Sequence, residues 1–171
     1  MRGASALILA GSLAAIGCAG ASGGLNTARA PLSHGVYVLT SEDMYAWCNL
    51  VGVDGNPVDP EGMCQDFRTP PVEVIAGFEA RLPRLLAARG HAHVARSVKT
   101  YVRQYWGVFR DARIHIVGNF VCRSALDGFG DDPKPMSDRE LAHVPIVIDD
   151  AGACHITALF PADRPEDVKF Q

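Results

Sequence analysis

The apolar and polar positions in the first half of the folded region predict one strand followed by helices. Residues 35–40 (GVYVLT) form a short apolar run, which is typical of a buried strand. Residues 40–43 add capping side chains and early acidic charge, so they predict a short helix that ends at Trp47. A long loop follows, and it ends at Thr69 and two prolines, which are typical of a helix start.

The segment that follows these prolines predicts the main helix. Ile75, Phe78 and Leu82 recur every three or four positions, so they share one helical face, which we expect to be buried. Pro83 interrupts this helix, because proline lacks the backbone N–H and clashes with the preceding turn. We therefore expect a kink or break near Leu82, and Gly90 is a natural end for the helix.

The apolar period changes to two after the main helix, which is typical of strands. It predicts strands at 98–109 and 114–122, joined by a turn at 110–112. Two further strands are predicted at 144–148 and 154–160. The long loop between the two pairs of strands contains Ser-Asp-Arg-Glu from residue 137, a capping box that predicts one helical turn.

This order, β-α-β-β-β-β, predicts a single α+β domain over residues 34–171. We expect an antiparallel-rich sheet of about four to five strands packed on one main, kinked helix. The order of elements resembles the cystatin-like architecture. The Gln-x-Val-x-Gly loop of cystatin inhibitors is absent from the chain, so the resemblance does not imply inhibition of cysteine proteases.

The N-terminus has the layout of a secretory signal. Arg2 supplies one positive charge, and residues 4–17 are an uncharged run with leucine and isoleucine as its apolar body. This run is shorter than the ~20 residues that a membrane-spanning helix needs, and it has no polar face. We therefore expect residues 1–17 to be a signal peptide and residues 18–33, rich in Ala, Gly and Ser, to be a flexible tether.

The end of this signal, Ala15-Ile16-Gly17-Cys18, resembles the lipobox of bacterial lipoproteins, with Ala15 where the family favours leucine. The resemblance implies that Cys18 becomes the lipidated first residue of the mature protein, acylated by chains such as palmitate. A non-acidic residue after the cysteine, here Ala19, implies anchoring in the outer membrane. The alternative is ordinary signal cleavage after Ala21, which would give a secreted or soluble periplasmic protein.

The number of cysteines agrees with export. The chain has five of them: Cys18, Cys48, Cys64, Cys122 and Cys154. Assigning Cys18 to lipid leaves an even set, which suits two disulfides in an oxidising compartment, although buried free thiols are the alternative. We predict a Cys48–Cys64 bridge, because it closes the Gly- and Pro-rich loop, and therefore a Cys122–Cys154 bridge. The second bridge requires the strand at 154–160 to lie beside the strand at 114–122.

The composition excludes several classes of function. A chain of 171 residues that is 48% hydrophobic and 20% charged is long and apolar enough for one globular domain. A net charge of -3 without a basic stripe argues against nucleic-acid binding. The chain contains no C-x-x-C pair, G-x-S-x-G elbow, phosphate loop, dinucleotide fingerprint or H-E-x-x-H. We therefore predict no metal, no cofactor and no catalytic residue, and we expect a role other than catalysis.

Strand alternation leaves one candidate ligand face. If Ile114 and Ile116 face the core, polar side chains of the neighbouring strands collect on the other side of the sheet. The candidate ligand face consists of Tyr101, Arg103, Tyr105, His115, Asn119 and His155. Such a surface suits a polar ligand or a protein partner, although antiparallel sheets often have a merely solvated outer face.

Three other sets of side chains are weaker candidates. Cys154 and His155 are neighbours on a strand and point to opposite faces, so they cannot form a catalytic dyad. His91 and His93 have no third metal ligand nearby in the sequence. The aspartate pairs at 131–132 and 149–150 fall in predicted turns and lack the full set of calcium ligands.

These observations predict an exported, lipid-anchored protein on the periplasmic side of the bacterial cell envelope. We expect a binding or structural role toward another envelope protein. The alternative is a periplasmic small-ligand binder or hydrolase that uses His115, His155 and Arg103 of the candidate ligand face.

Overall fold

The computed structural model describes residues 31–48, 66–126, 135–146 and 154–171. Within these ranges the fold is α+β, as predicted, with a six-stranded mixed sheet. The strands are β1 (Val36–Val38), β2 (Phe67–Arg68), β3 (Tyr101–Arg110), β4 (Arg113–Cys122), β5 (His155–Pro161) and β6 (Lys169–Phe170). The helices are α1 (Ser41–Cys48), α2 (Val72–Glu79), α3 (Leu82–Ala88), α4 (Ala92–Ser97), α5 (Arg123–Leu126) and α6 (Asp138–Leu141), with 3-10 turns at Val98–Thr100 and Pro165–Asp167.

The hairpin of β3 and β4 forms the centre of the sheet. Strand β5 pairs antiparallel with β4, and β6 pairs antiparallel with β5. The other edge of β3 is shared, because β1 pairs in parallel with its first half and β2 pairs antiparallel with its second half. The two-residue strands β2 and β6 were not predicted, since two residues are too few to show an alternation.

The predicted Cys122–Cys154 bridge is present, with 4.9 Å between the two Cα atoms. Val121 pairs with His155, so β5 lies beside β4, as the bridge requires. Because the two strands are adjacent and antiparallel, the cysteine that ends one lies next to the cysteine that precedes the other. The chain between them carries α5 and α6 over one face of the sheet.

The prediction of a strand at 144–148 is wrong over 144–146, and 147–148 lie outside the described residues. The backbone of Ile146 bonds to side chains instead of to a neighbouring strand. Its N–H donates to Gln104 Oε1, and its carbonyl accepts from Asn119 Nδ2, both at 2.7 Å. The side-chain amides of Gln104 and Asn119 therefore take the place of the backbone hydrogen bonds that a strand at 144–148 would make with a neighbouring strand.

The predicted main helix is divided into separate helices. Helix α2 ends at Glu79 and α3 begins at Leu82, so the break lies next to Pro83, which is in the first turn of α3. Proline cannot donate to the carbonyl four residues earlier, which explains the break. Gly90 adopts a φ of +89°, a left-handed conformation that ends α3 at low cost for glycine.

Both faces of the sheet are covered over the first half of β3, each by a different layer. Helices α2, α3 and α4 cover one face, which we call the helical face, and Phe78 stacks on Phe160 there with 4.1 Å between ring centroids. On the opposite face, Leu126, Leu141 and Ile146 pack on the sheet. Helix α1 and β2 bury a third, smaller cluster beside it.

The turn between β3 and β4 uses two residues with left-handed backbone angles, with φ of 51° at Asp111 and 58° at Ala112. Two-residue hairpin turns of this kind prefer glycine, because a Cβ costs about 1 kcal/mol in the left-handed region. We expect Ala112→Gly to raise the free energy of unfolding by about 0.5–1 kcal/mol in urea denaturation. The same change at exposed Ala87, inside α3, should lower it, and a loss of stability at Ala112 would contradict this account.

Candidate functional site

The candidate ligand face is not one surface. Arg103 pairs with Phe120 in the β3–β4 register, and Phe120 belongs to the core of the helical face, so Arg103 points to that face. Tyr101 and Tyr105, two positions away on either side, point the same way. The remaining members lie on the opposite face of the sheet, and they are His115, Asn119 and His155. The prediction that all six residues share a face is therefore wrong.

The physical reason is burial of β3 on both faces. The first five residues of β3 are all buried, so neither its odd-numbered nor its even-numbered side chains face solvent there. Both sets contain apolar and polar residues. Alternation identifies the core face only when the other face is solvated. Because layers of helix cover both faces, the apolar set of Val102 and Trp106 does not face the same side as Ile116.

Arg103 is buried under the helical face, with 3% of its surface exposed. Its Nε donates to Glu79 Oε1 at 3.0 Å and Oε2 at 3.2 Å. The terminal nitrogens donate to the carbonyls of Val98, Tyr101 and His34 at 2.6, 2.8 and 3.3 Å. A single guanidinium therefore fastens α2, the start of β3 and the segment before β1 to one another.

Tyr105 completes this cluster. Its hydroxyl donates to Glu79 Oε1 at 2.5 Å, so this carboxylate accepts from both the phenol and the guanidinium. Burial and the nearby charge of Glu79 raise the pKa of Tyr105 well above its usual value. The cluster is a satisfied, buried ion pair with a structural role.

Asn119 and His155 do lie together, as predicted. His155 Nε2 is 2.7 Å from Asn119 Oδ1, and Asn119 Nδ2 donates to the carbonyl of Ile146. Because the NH₂ group of Asn119 donates to Ile146, the amide oxygen of Asn119 is left to accept a hydrogen bond. The donor is the Nε2–H of His155. The buried side chain of Gln104 likewise bonds to backbone groups: its Nε2 donates to the carbonyls of Leu141 and Val144 at 2.8 and 2.7 Å. These amides hold the covering segment 141–146 on the sheet.

His115 lies far from His155. His155 pairs with Val121, six residues along β4 from His115, a separation of about 20 Å at strand spacing. His115 instead lines a shallow cavity of about 290 Å³ near the hairpin end. Arg103 is on the other face, so His115, His155 and Arg103 do not assemble into one ligand or hydrolase site.

A cleft that the sequence patterns did not indicate lies at the β1 edge of the sheet. It has a volume of about 600 Å³, within the range of small-ligand sites. Its lining comes from separate parts of the chain: Pro31, His34, Gly35, Tyr37, Lys99, Thr100, Tyr101, Val102, Arg123 and Asp138. A second cavity of about 330 Å³ shares His34 and Lys99 with it. We call the first of these the edge cleft.

The edge cleft contains charged and phenolic groups. The Tyr37 hydroxyl donates to Asp138 Oδ1 at 2.6 Å, and Arg123 is within hydrogen-bonding reach of the same hydroxyl. Burial, followed by the contact with Asp138, raises the pKa of Tyr37 to about 12. Among the residues that the structure describes, Lys99 and Arg123 form no ion pair with a carboxylate.

A buried Asp–His pair joins α1 to the covering segment 141–146. Asp43 Oδ1 is 2.8 Å from His143 Nδ1, and Asp43 Oδ2 accepts from the backbone N–H and hydroxyl of Thr40 at 2.7 and 2.6 Å. His143 Nε2 is buried and has no hydrogen-bond partner among the described residues. Sequence reasoning missed this pair because its members are 100 positions apart.

Asp43 makes the stability of the fold sensitive to acid. Burial raises the pKa of its carboxyl, but the hydrogen bonds from Thr40 and His143 outweigh burial and hold the pKa below its usual value. A folded-state pKa below the unfolded one stabilises the protein above the unfolded pKa, and this contribution is lost as the pH falls through the folded pKa. We expect Asp43→Asn to destabilise the protein by about 1–3 kcal/mol at pH 7.

Urea denaturation between pH 6 and pH 2 tests this prediction. The wild-type free energy of unfolding should fall with decreasing pH more steeply than that of Asp43→Asn. Exposed Asp163 offers a matched control, since Asp163→Asn should retain the wild-type dependence on pH. Equal acid dependence in Asp43→Asn and the wild type would show that this carboxylate does not cause it.

The described cysteines and His91 have structural partners. Cys154 is bonded to Cys122, so it has no thiol to form a dyad with His155. Cys48 is also disulfide-bonded, while its predicted partner Cys64 lies outside the described residues. His91 contacts the ring of Phe170 edge-on at 5.6 Å. Cys18 and the aspartate pairs at 131–132 and 149–150 also lie outside the described ranges.

The described part of the chain shows neither a metal cluster nor a membrane-spanning helix. Within residues 31–48, 66–126, 135–146 and 154–171, no group of three or more His, Cys, Asp or Glu side chains is placed to hold a metal ion. The helices in those ranges are too short or too polar to cross a bilayer. Comparison with family models, with curated proteins and with solved structures finds no match to this chain.

Proposed function

We propose that this chain is an exported protein of the bacterial cell envelope, anchored by lipid on Cys18, whose folded domain binds another envelope component. The observation that carries the proposal is the use of its cysteines: Cys122 bonds to Cys154, and Cys48 is also disulfide-bonded. Structural disulfides persist in oxidising compartments and are rare in the cytosol. Two bridges would use four of the five cysteines and leave Cys18 for acylation at the lipobox-like site.

The layout of the chain supports a tethered domain. Leu32 and Ser33, at the end of the predicted tether, already join the sheet by hydrogen bonds with Val36. The sequence places 12 residues between Cys18 and Pro31. A chain of that length reaches at most ~40 Å. The edge cleft is lined by Pro31, so in this proposal it lies on the side of the domain nearest to the anchor.

A binding role is favoured over catalysis by the distribution of polar groups. The residues required by the hydrolase alternative lie on two faces and at two ends of the sheet. The edge cleft, by contrast, gathers cations, hydroxyls and a carboxylate around an apolar floor, which suits recognition of a polar molecule. We therefore propose no hydrolase activity for His115, His155 and Arg103.

Intact mass of the membrane-extracted protein, with and without reduction, tests the proposal. We expect loss of residues 1–17, added acyl mass on Cys18, and a gain of four hydrogen atoms on reduction of two disulfides. Cys18→Ser should lose the acyl mass and leave the membrane fraction. Retention of Met1 on a cytosolic product with five free thiols would overturn the proposal, and a chain that begins after Ala21 would show plain secretion instead.

A further inference from the structure

The described side chains that line the edge cleft carry more positive than negative charge. Tyr101 pairs with Cys122, so Thr100 and Arg123 flank the same end of the β3–β4 ladder, and Lys99 lies next to Thr100. Among the described residues that line this cleft, Asp138 is the carboxylate, and it already accepts from the Tyr37 hydroxyl. Two exposed cations therefore border the cleft without an ion-paired carboxylate among the described residues.

We propose that the edge cleft binds the terminal phosphate (a phosphomonoester) of a small molecule or of a lipid headgroup, held by Lys99 and Arg123. This names the ligand class for the binding role proposed above, and it does not depend on acylation of Cys18. A guanidinium can bind a phosphate through two parallel hydrogen bonds, and lysine contributes a compact charge. The Thr100 hydroxyl also lines the cleft, but its proton is donated to the carbonyl of Ser97 at 2.8 Å, so the two cations supply the donors for the phosphate oxygens.

A phosphate fits the cleft better than a carboxylate. The several N–H donors of one guanidinium and one ammonium match a phosphomonoester, which has three strong acceptor oxygens and a charge of nearly −2. A carboxylate has two oxygens and one charge, so it would leave one of the cations unused. The floor of Tyr101 and Val102 and the wall of Pro31 are apolar, which suits a carbon body attached to the phosphate.

The walls of the edge cleft are built into the fold. Arg103 donates to the carbonyls of His34 and Tyr101, so the buried ion pair with Glu79 fixes two of the lining segments. Gly35 has a φ of +71°, and a Cβ there would lie 3.0 Å from the carbonyl oxygen of Tyr101. Only glycine allows this close approach without strain, so the segment before β1 is held against the start of β3.

Calorimetric titration of the full-length mature protein in neutral detergent tests the proposal. The probes are inorganic phosphate, glycerol 1-phosphate, acetate, and micelles doped with phosphatidic acid, a lipid phosphomonoester. We expect saturable binding of at least one phosphate probe, at least tenfold weaker binding of acetate, and weaker binding as salt is raised. The variant Lys99→Gln/Arg123→Gln should bind the phosphate probe at least tenfold more weakly, since each lost charged hydrogen bond is worth about a factor of ten.

A matched variant separates the cleft from overall charge. Arg84→Gln/Lys169→Gln removes two exposed cations outside the cleft and should bind like the wild type. Binding of the soluble phosphates identifies a small-molecule ligand, and binding of doped micelles alone identifies a lipid headgroup. No saturable binding of any phosphate probe up to ~10 mM, equal losses in both variants, or acetate binding as tight as phosphate would overturn the proposal. Intact mass reports the anchor independently, so the two proposals can fail separately.

Discussion

Replacement of Arg103 by methionine is expected to lower the free energy of unfolding by about 3–5 kcal/mol, because it removes one partner of a buried ion pair. Glu79 would keep its charge with only the Tyr105 hydroxyl as a described partner in the cluster. The carbonyls of Val98, Tyr101 and His34 would also lose their donor. Denaturation in guanidinium chloride, analysed by linear extrapolation, measures the loss.

Two further variants identify the ion pair as the cause. Arg84→Met changes an exposed arginine and should stay within about 0.5 kcal/mol of the wild type. The double variant Arg103→Met/Glu79→Gln should lose less than the sum of its single variants, because it leaves no unpaired charge. A loss below 1 kcal/mol in Arg103→Met would contradict the role given to this side chain.

The double variant Cys122→Ala/Cys154→Ala is expected to lose about 3–4 kcal/mol of stability. The two cysteines are 32 positions apart, and closing a loop of this size restricts the unfolded chain by that amount in the chain-entropy model. Alanine is chosen because Cys122 packs against the core of the helical face, where serine would add an unpaired hydroxyl. Thermal and urea denaturation both measure the effect.

Reduction provides the control for this variant. Dithiothreitol should destabilise the wild type by the contributions of both bridges, and it should destabilise the double variant only by the contribution of the bridge at Cys48. Equal melting of the oxidised wild type and the double variant would show that the Cys122–Cys154 bridge does not stabilise the fold.

Local patterns predicted the elements that depend on neighbouring residues. The break next to Pro83, the end of α3 at Gly90 and the capping box at Ser137 each follow from the chemistry of a few adjacent positions. The adjacency of β4 and β5 was predicted from a distance constraint, because a Cys122–Cys154 bridge is impossible unless the strands meet.

The candidate site could not be predicted in the same way, because its parts are distant in sequence. Arg103 is buried only because Glu79 meets it from α2, 24 positions earlier. One signal was present: tyrosines occupy odd positions of β3 and valines occupy even positions, so large apolar side chains lie on both faces, which is typical of a strand buried on both faces. The edge cleft joins segments from residue 31 to residue 138, and no periodicity links them.

The attachment of the covering segment 141–146 has a consequence for how the molecule opens. Gln104 and Asn119 hold this segment through side-chain amides, while the β3–β4 and β4–β5 ladders below it are complete without it. Lifting the segment breaks those amide bonds and the Asp43–His143 contact and uncovers the apolar side chains of β3 and β4 below it, but it leaves every backbone ladder of the sheet intact. We therefore expect the segment to open as a separate unit, with amide protons that exchange with solvent at a lower free energy than global unfolding requires.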